Sequence, residues 1–213
     1  MGVATAASAA RFVGLAVVAG MGEGRAMPAV RIVSRVQVYD GHYRFWRLEL
    51  AMPDGRVAER HLLDNGSAVA VLPYDPVRRV AMLITQPRAA VIDAGAEPLL
   101  EAIAGNLDGI DAVDRAREEA MEEGGLRLGK LEPVARIWPL PPVSTERVAL
   151  YLAEYAAVDR IGPGGGADGE GENITVHELP LALLRQQALA GRLTDAKTLI
   201  LIQALLLRRP ELF

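Results

Sequence analysis

The sequence predicts an α+β protein: a mixed sheet with helices on its faces, preceded by a small antiparallel sheet. Three observations carry that expectation. Residues 31–63 hold three extended runs separated by turn signals. Two short apolar runs, AVAVLP (68–73) and VAMLIT (80–85), come next and lead towards an acid-rich helix. Buried strands of this kind suit a sheet covered on both faces. The chain then closes on two helical segments, the second of them very apolar.

In order, RIVSRVQVYD (31–40) alternates partly at period two, and YRFWRLELAM (43–52) is rich in β-favouring residues around the turn at Asp40-Gly41. Pro53-Asp54-Gly55 is a strong turn signal, and Val57 to Leu63 returns as a third strand. Three such strands are marginal alone, so they are expected to pack on the rest of the chain or on a partner. Asp64-Asn65-Gly66 is the joint, and Tyr74-Asp75-Pro76 is the turn between the two buried runs. Leu99 to Ala104 reads as a strand. Leu131 to Leu140 and Arg147 to Tyr155 read as strands around Pro141-Pro142. Leu179 to Ala190 and Asp195 to Leu207 read as helices, with Pro180 in a first turn, Gly191 at an end and Thr194-Asp195 as a cap. The body of the last helix, LILIQALLL, is expected to be buried and purely structural.

The chain so divides at residues 1–27, 28–66 and 67–213. The first segment is rich in Ala and Gly, and its apolar run from Phe12 to Met21 is too short to span a bilayer. No clean A-x-A site follows that run. The segment reads as a disordered extension or an overlong start, with Met27 as the true first residue.

Composition narrows the chemistry. Half of the 213 residues are hydrophobic, enough for a sizeable core, and the net charge of −4 argues against a nucleic-acid surface. Without cysteine there is no disulfide, thiolate nucleophile or thiolate zinc site, which suits a cytoplasmic protein. His42, His61 and His177 lie far apart and form no ligand spacing. Neither a G-x4-G-K-[ST] nor a G-x-G-x-x-G phosphate loop is present, so kinase and dehydrogenase readings are weak.

The stretch Glu101 to Leu126, EAIAGNLDGIDAVDRAREEAMEEGGL, carries the functional signal. Asp111 is placed to cap a helix that Gly124-Gly125 ends. Glu119, Glu122 and Glu123 stand at i, i+3 and i+4, sharing an arc of about 100°. Such a cluster is either a solvated face or a seat for a cation. Ala112 and Ala116 flank it with nothing bulky, while Val113, Ala120 and Met121 are expected to face a sheet, with Arg117 among them. Glu101 sits inside an apolar run, where it needs an arginine partner or a place in the site cleft. The acidic, glycine-rich GPGGGADGEG (162–171) reads on composition as a flexible surface loop.

The segment resembles the Nudix box, G-x5-E-x7-R-E-U-x-E-E-x-G-U with U aliphatic, whose loop-helix-loop holds magnesium against a diphosphate. Gly105 matches the first glycine, Glu119 the glutamate after the arginine, Glu122-Glu123 the paired glutamates, and Gly125-Leu126 the end. The spacing from Gly105 to Glu119 is one residue short, Asp111 replaces the first glutamate, and Glu118 replaces the arginine. In shortened box and lost arginine the chain resembles the branch that contains GDP-mannose pyrophosphatases. Arg115, one turn before Glu119 on the same face, is placed to take over the bracing that the family assigns to the arginine.

The resemblance implies a Nudix-type α/β/α sandwich and a nucleoside diphosphate-sugar pyrophosphatase, with GDP-mannose or ADP-ribose as leading substrates. It implies metal ligands at Glu119, Glu122, Glu123 and Glu172 and at the Ala104 carbonyl, oxygen donors suited to Mg2+ or Mn2+. It implies a base on the 162–172 loop, matched by Glu170, with Glu172 beside it, in a chemistry shared with Glu119 and Glu123. Substrate contacts are implied at Arg88 in Gln86-Pro87-Arg88, at Glu101, and at Glu146 in LPPVSTER, where Pro142 and Val143 stand for the family's two glycines. The N-terminal sheet, with Arg60 as its substrate contact, is implied to build a homodimer and reach the partner's site. Two classes stay open: a working hydrolase, or an impaired nucleotide-binding or regulatory module.

Overall fold

The structure, a computed structural model, describes residues 29–166 and 173–213. The expectations for residues 1–27, and for Glu170 and Glu172, lie outside the described residues.

Strands β1 (Arg31–Asp40), β2 (Arg44–Ala51) and β3 (Val57–Asp64) form an antiparallel sheet in that order, turning where the sequence puts Gly41 and Pro53-Asp54-Gly55. Its apolar side chains are largely uncovered: Ile32, Val36, Val38, Tyr39 and Val57 are all exposed, and Leu48 is the one buried hydrophobic among the described residues of these strands. The sheet is tied to the body through the 143–146 loop. The Leu63 amide donates to the Val143 carbonyl at 2.6 Å, and the Thr145 amide donates to Leu63 at 2.9 Å. The Ser144 hydroxyl donates to Asn65 at 2.7 Å. Pro142 and Val143 thus stiffen a loop that docks on the first sheet.

The second sheet is mixed, in the order β7 (Leu131–Ile137), β8 (Arg147–Glu154), β4 (Ser67–Asp75), β5 (Val80–Thr85), β9 (Thr175–Pro180). β4 runs parallel to β8 and antiparallel to its other neighbours. β4 meets β5 only at Tyr74 and Asp75, while residues 68–71 pair with β6 (Ile103–Asn106). The two partners diverge along one edge of β4, and the candidate site lies at that fork. Pro133 is tolerated in β7 because β7 is an edge strand with a bulge between Pro133 and Ala135.

Alternation along β4 feeds two cores. Val69 and Val71 pack with Met82, Ile84, Ile103 and, from α2 (Ala112–Gly124), Ala116 and Ala120. Ala70, Leu72 and Tyr74 pack on the other face with Leu181 and Leu184 of α3 (Leu181–Leu189) and Leu201, Ile202 and Leu205 of α4 (Ala196–Arg208). Burying a Leu or Ile side chain contributes about 1.5–3 kcal/mol, so both helix layers are held by the hydrophobic effect. No helix among the described residues is long and apolar enough to cross a membrane.

Several boundaries differ from expectation. The strand expected over 99–104 begins at Ile103; Glu101 makes only an isolated bridge to Ile84, with reciprocal backbone bonds of 2.8 Å. Residues 89–93 form a short helix, α1 (Ala89–Asp93), that the sequence did not predict; it buries no residue and so carries no apolar period. β7 stops at Ile137, before Pro139, which has no amide to donate. β9 continues to Pro180, so α3 starts later than expected. The last helix is not uniformly buried, since Leu207 is 82% exposed.

Candidate active site

α2 is capped as its sequence dictates. Asp111 accepts from the Val113 amide at 2.9 Å, and Gly125 closes the helix in the left-handed region at φ 65°. Its inner face is acidic. Glu119 is 6% exposed and Glu123 1%, beside fully buried Ala116 and Ala120. This overturns the alternative of a solvated acidic face for these two. It also corrects the expected flanks: Ala116 lies in the core rather than beside an open stripe, and Met121 is 36% exposed rather than packed on the sheet.

The carboxylates are held from both sides. Glu123 accepts from the Ala104 amide at 3.1 Å, locking the last turn of α2 to β6. Glu119 lies so close over Gly105 that a side chain there would overlap its carboxylate. The Arg115 guanidinium reaches Glu119 at 2.5 Å, Glu118 at 3.1 Å and Glu122 at 3.7 Å, and its Nε donates to the Asn106 carbonyl at 3.1 Å. Arg115 therefore does brace the acidic helix, taking three carboxylates and the end of β6 at once. Among the described residues, no three acidic or histidine side chains converge tightly enough to form a complete ion cage.

A second group faces the same fork. Glu101, 2% exposed, satisfies the requirement its sequence position sets: Arg88 forks onto both its oxygens at 2.9 Å, and Lys197 reaches it at 3.3 Å. Asp195 holds Lys197 at 2.7 Å and caps α4 through the Thr198 amide at 2.9 Å. The Thr198 hydroxyl accepts from the Ala102 amide at 2.6 Å, pinning the start of α4 beside Glu101. Glu146 belongs here too. Partial burial pushes its carboxyl above the ordinary range, against the pull of Lys197, Arg88 and a hydrogen bond from Asn65.

The structure thus gathers Ala104, Glu119 and Glu123, with Glu122 at the guanidinium's edge, and beside them Arg88, Glu101 and Glu146. It does not bring Arg60 to them within one chain. That residue lies on β3, opposite Leu48, with its guanidinium on its neighbour's carbonyl at 2.7 Å. Lys197 was missed, because the last helix was read as structural only. A signal existed: a lysine in the first turn of an apolar helix opposes the helix dipole and needs an anionic partner.

Glu146 gives a pH prediction. Its folded pKa is raised, so the stability it contributes is full below the ordinary value of 4.5 and is lost as pH rises through the folded value. Glu146→Gln is therefore expected to match the wild type near pH 4 and to be more stable at pH 7, while KM for substrate rises. Thermal melts at the two pH values, with KM at neutral pH, check both signs.

An acidic loop-helix-loop lies at the fork of a mixed sheet covered by helices on both faces, an arrangement that matches hydrolases of the Nudix type. No family model matches the chain. It is 37% identical over 164 residues to the GDP-mannose pyrophosphatase of Cronobacter sakazakii, covering 75% of this chain and 85% of that one. It is 33% identical over 190 residues to the ADP-ribose pyrophosphatase of Escherichia coli K12, covering 86% and 90%. The crystal structure of an ADP compounds hydrolase shares the fold, with a TM-score of 0.70 over 88% of this chain and 98% of that one at 16% identity. The chain belongs to the Nudix hydrolase family and is an enzyme that cleaves phosphorus anhydrides.

Proposed function

We propose that this chain hydrolyses the diphosphate of a nucleoside diphosphate sugar, GDP-mannose or ADP-ribose, releasing a nucleoside monophosphate and a sugar phosphate in the presence of Mg2+ or Mn2+. The observation that carries the reading is the pair of buried carboxylates, Glu119 and Glu123, on the inner face of α2. The donors fit a hard divalent ion: they are all oxygens, and Gly105, where any Cβ would overlap the Glu119 carboxylate, lets that carboxylate lie against the β6 backbone. Glu119, Glu122, Glu123 and the Ala104 carbonyl would hold the ion, with Glu172 completing the set. When bound, Mg2+ or Mn2+ supplies charge neutralisation and Lewis acidity at the diphosphate.

The chain's own residues do the rest. The Ala104 amide keeps Glu123 directed into the fork, and Arg115 keeps Glu119 over Gly105. Arg88 and Lys197, oriented by buried Glu101, offer positive charge to the phosphates or sugar. Glu146 is the candidate ribose contact. Glu170 is the candidate base that takes the proton from the attacking water as the P–O bond to the leaving phosphate breaks. The exposed apolar side chains of β1 and β3 support a homodimer through the N-terminal sheet, with Arg60 reaching the partner's site. Its lack of cysteine suits a cytoplasmic location.

A screen of nucleotide sugars with Mg2+, run beside sedimentation of the protein at micromolar concentration, tests the reading. Turnover of GDP-mannose or ADP-ribose by a two-chain particle is expected. Binding without turnover would favour a nucleotide-binding or regulatory module instead.

A further inference from the structure

Carbonyls at the C-terminal end of any α-helix lack partners within the helix. In α2 the glycine cap supplies two donors: Leu126 donates to Ala120 at 2.9 Å and Gly125 to Met121 at 3.1 Å. The next two carbonyls belong to Glu122 and Glu123, and they are satisfied from elsewhere. Gly165 donates to Glu123 at 2.9 Å and Gly166 to Glu122 at 3.1 Å. The strap that brings them runs antiparallel to residues 122–127, with Ile161 and Gly162 donating to the Gly125 carbonyl at 2.9 and 3.2 Å and Arg127 donating to Asp159 at 3.0 Å. Composition reads Gly164-Gly165-Gly166 as slack; the structure uses it as a helix cap supplied from a later stretch of the same chain.

Only glycine serves at its centre. Gly164 has φ +69°, and a Cβ there would fall on the carbonyl group of Glu123. On the other side, a Cβ at Gly125 would fall on the Gly162 carbonyl. Both collisions are with backbone, which cannot rotate away. Glu123 is therefore clamped at two ends: its carboxylate by the Ala104 amide and its carbonyl by the strap. We infer that Gly164 is a positioning residue, whose bare backbone lets the 161–166 strap fix the last turn of α2 and so aim Glu122 and Glu123 at the ion. This rests on the proposed ion-holding role of α2.

Mn2+ binding tests it directly, through the paramagnetic resonance signal of free Mn2+ titrated into full-length protein. Gly164→Ala is expected to weaken Mn2+ binding about tenfold, the low end of the range for losing a group that orients a ligand. Gly191→Ala serves as the control. Gly191 also has a positive φ, +66°, but ends α3, and nothing lies within 4 Å of its added Cβ; its Mn2+ affinity should equal the wild type's. Pro163→Gly, which adds no atoms and only loosens the strap, should weaken binding about twofold and covers the case in which Gly164→Ala does not fold. Unchanged affinity in a folded Gly164→Ala protein, or in Pro163→Gly, would overturn the inference. Equal loss in the Gly164 and Gly191 variants would overturn it as well, since general destabilisation would then suffice. A wild type that binds no Mn2+ would overturn the proposed function beneath it, and this inference with it.

Discussion

Glu123→Gln is expected to lower Mg2+-dependent turnover by at least about a hundredfold while leaving the fold intact. The two halves of that outcome come from different physics. The side chain is 1% exposed and its oxygen accepts from the Ala104 amide. Glutamine has the same shape and keeps an acceptor for that bond, so the junction of α2 with β6 survives. The substitution adds no volume and opens no cavity, so the fold should survive. What disappears is the charge that would hold the cation at the diphosphate. Steady-state kinetics beside thermal melts separate the two effects. Full activity would remove Glu123 from the chemistry, and a collapse in melting temperature would make its role structural.

The acidic helix was legible because a 3.6-residue period puts Glu119, Glu122 and Glu123 on one arc whatever the tertiary fold. Which part of that arc turns inward was not, since it depends on what α2 packs against. The stripe splits, with Glu119 and Glu123 buried among Ala116 and Ala120, and Glu122 left at the rim. Glu101 was legible as a demand, since a carboxylate in an apolar run needs a partner, and Arg88 meets it. Lys197 was not, being 96 residues away in sequence. The backbone bonds of the strap at 161–166 were not legible for a general reason. Glycine content reports how many conformations a segment can adopt, but says nothing of the orphan carbonyls that select one of them. The strand expected at 99–104 failed for a similar reason: Ile84 pairs Glu101 alone before the chain crosses to β4.

Those observations share a pattern. Each side chain that aims a candidate ligand is itself fixed by backbone: Glu123 by the Ala104 amide, Arg115 by the Asn106 carbonyl, and Lys197 through Asp195, which caps α4 by the Thr198 amide. Helix caps such as Asp111 and Asp195 can be read from residue identity, but the Ala104 amide and the Asn106 carbonyl cannot, so sequence finds the carboxylates and misses these backbone anchors.

Arg115→Ala is expected to lower turnover about 10–100-fold, the range for a group that orients a metal ligand. Glu118 stands where the family's box carries its arginine, and the structure puts the Arg115 guanidinium against Glu119, Glu118 and Glu122 together. Removing it takes a charge partner from Glu119, a carboxylate only 6% exposed, so the melting temperature should fall as well. Geometry is lost too, because Glu119 over Gly105 and the end of β6 at Asn106 lose a shared anchor. A Mg2+ titration decides between the two. If Arg115 only offsets charge, excess Mg2+ should restore kcat; if it positions Glu119, kcat stays low at saturation. We expect the second result, with Arg115→Lys recovering little, since an ammonium cannot fork between several carboxylates while keeping a donor on a carbonyl. Turnover within twofold of the wild type would show that Glu119 keeps its place without Arg115.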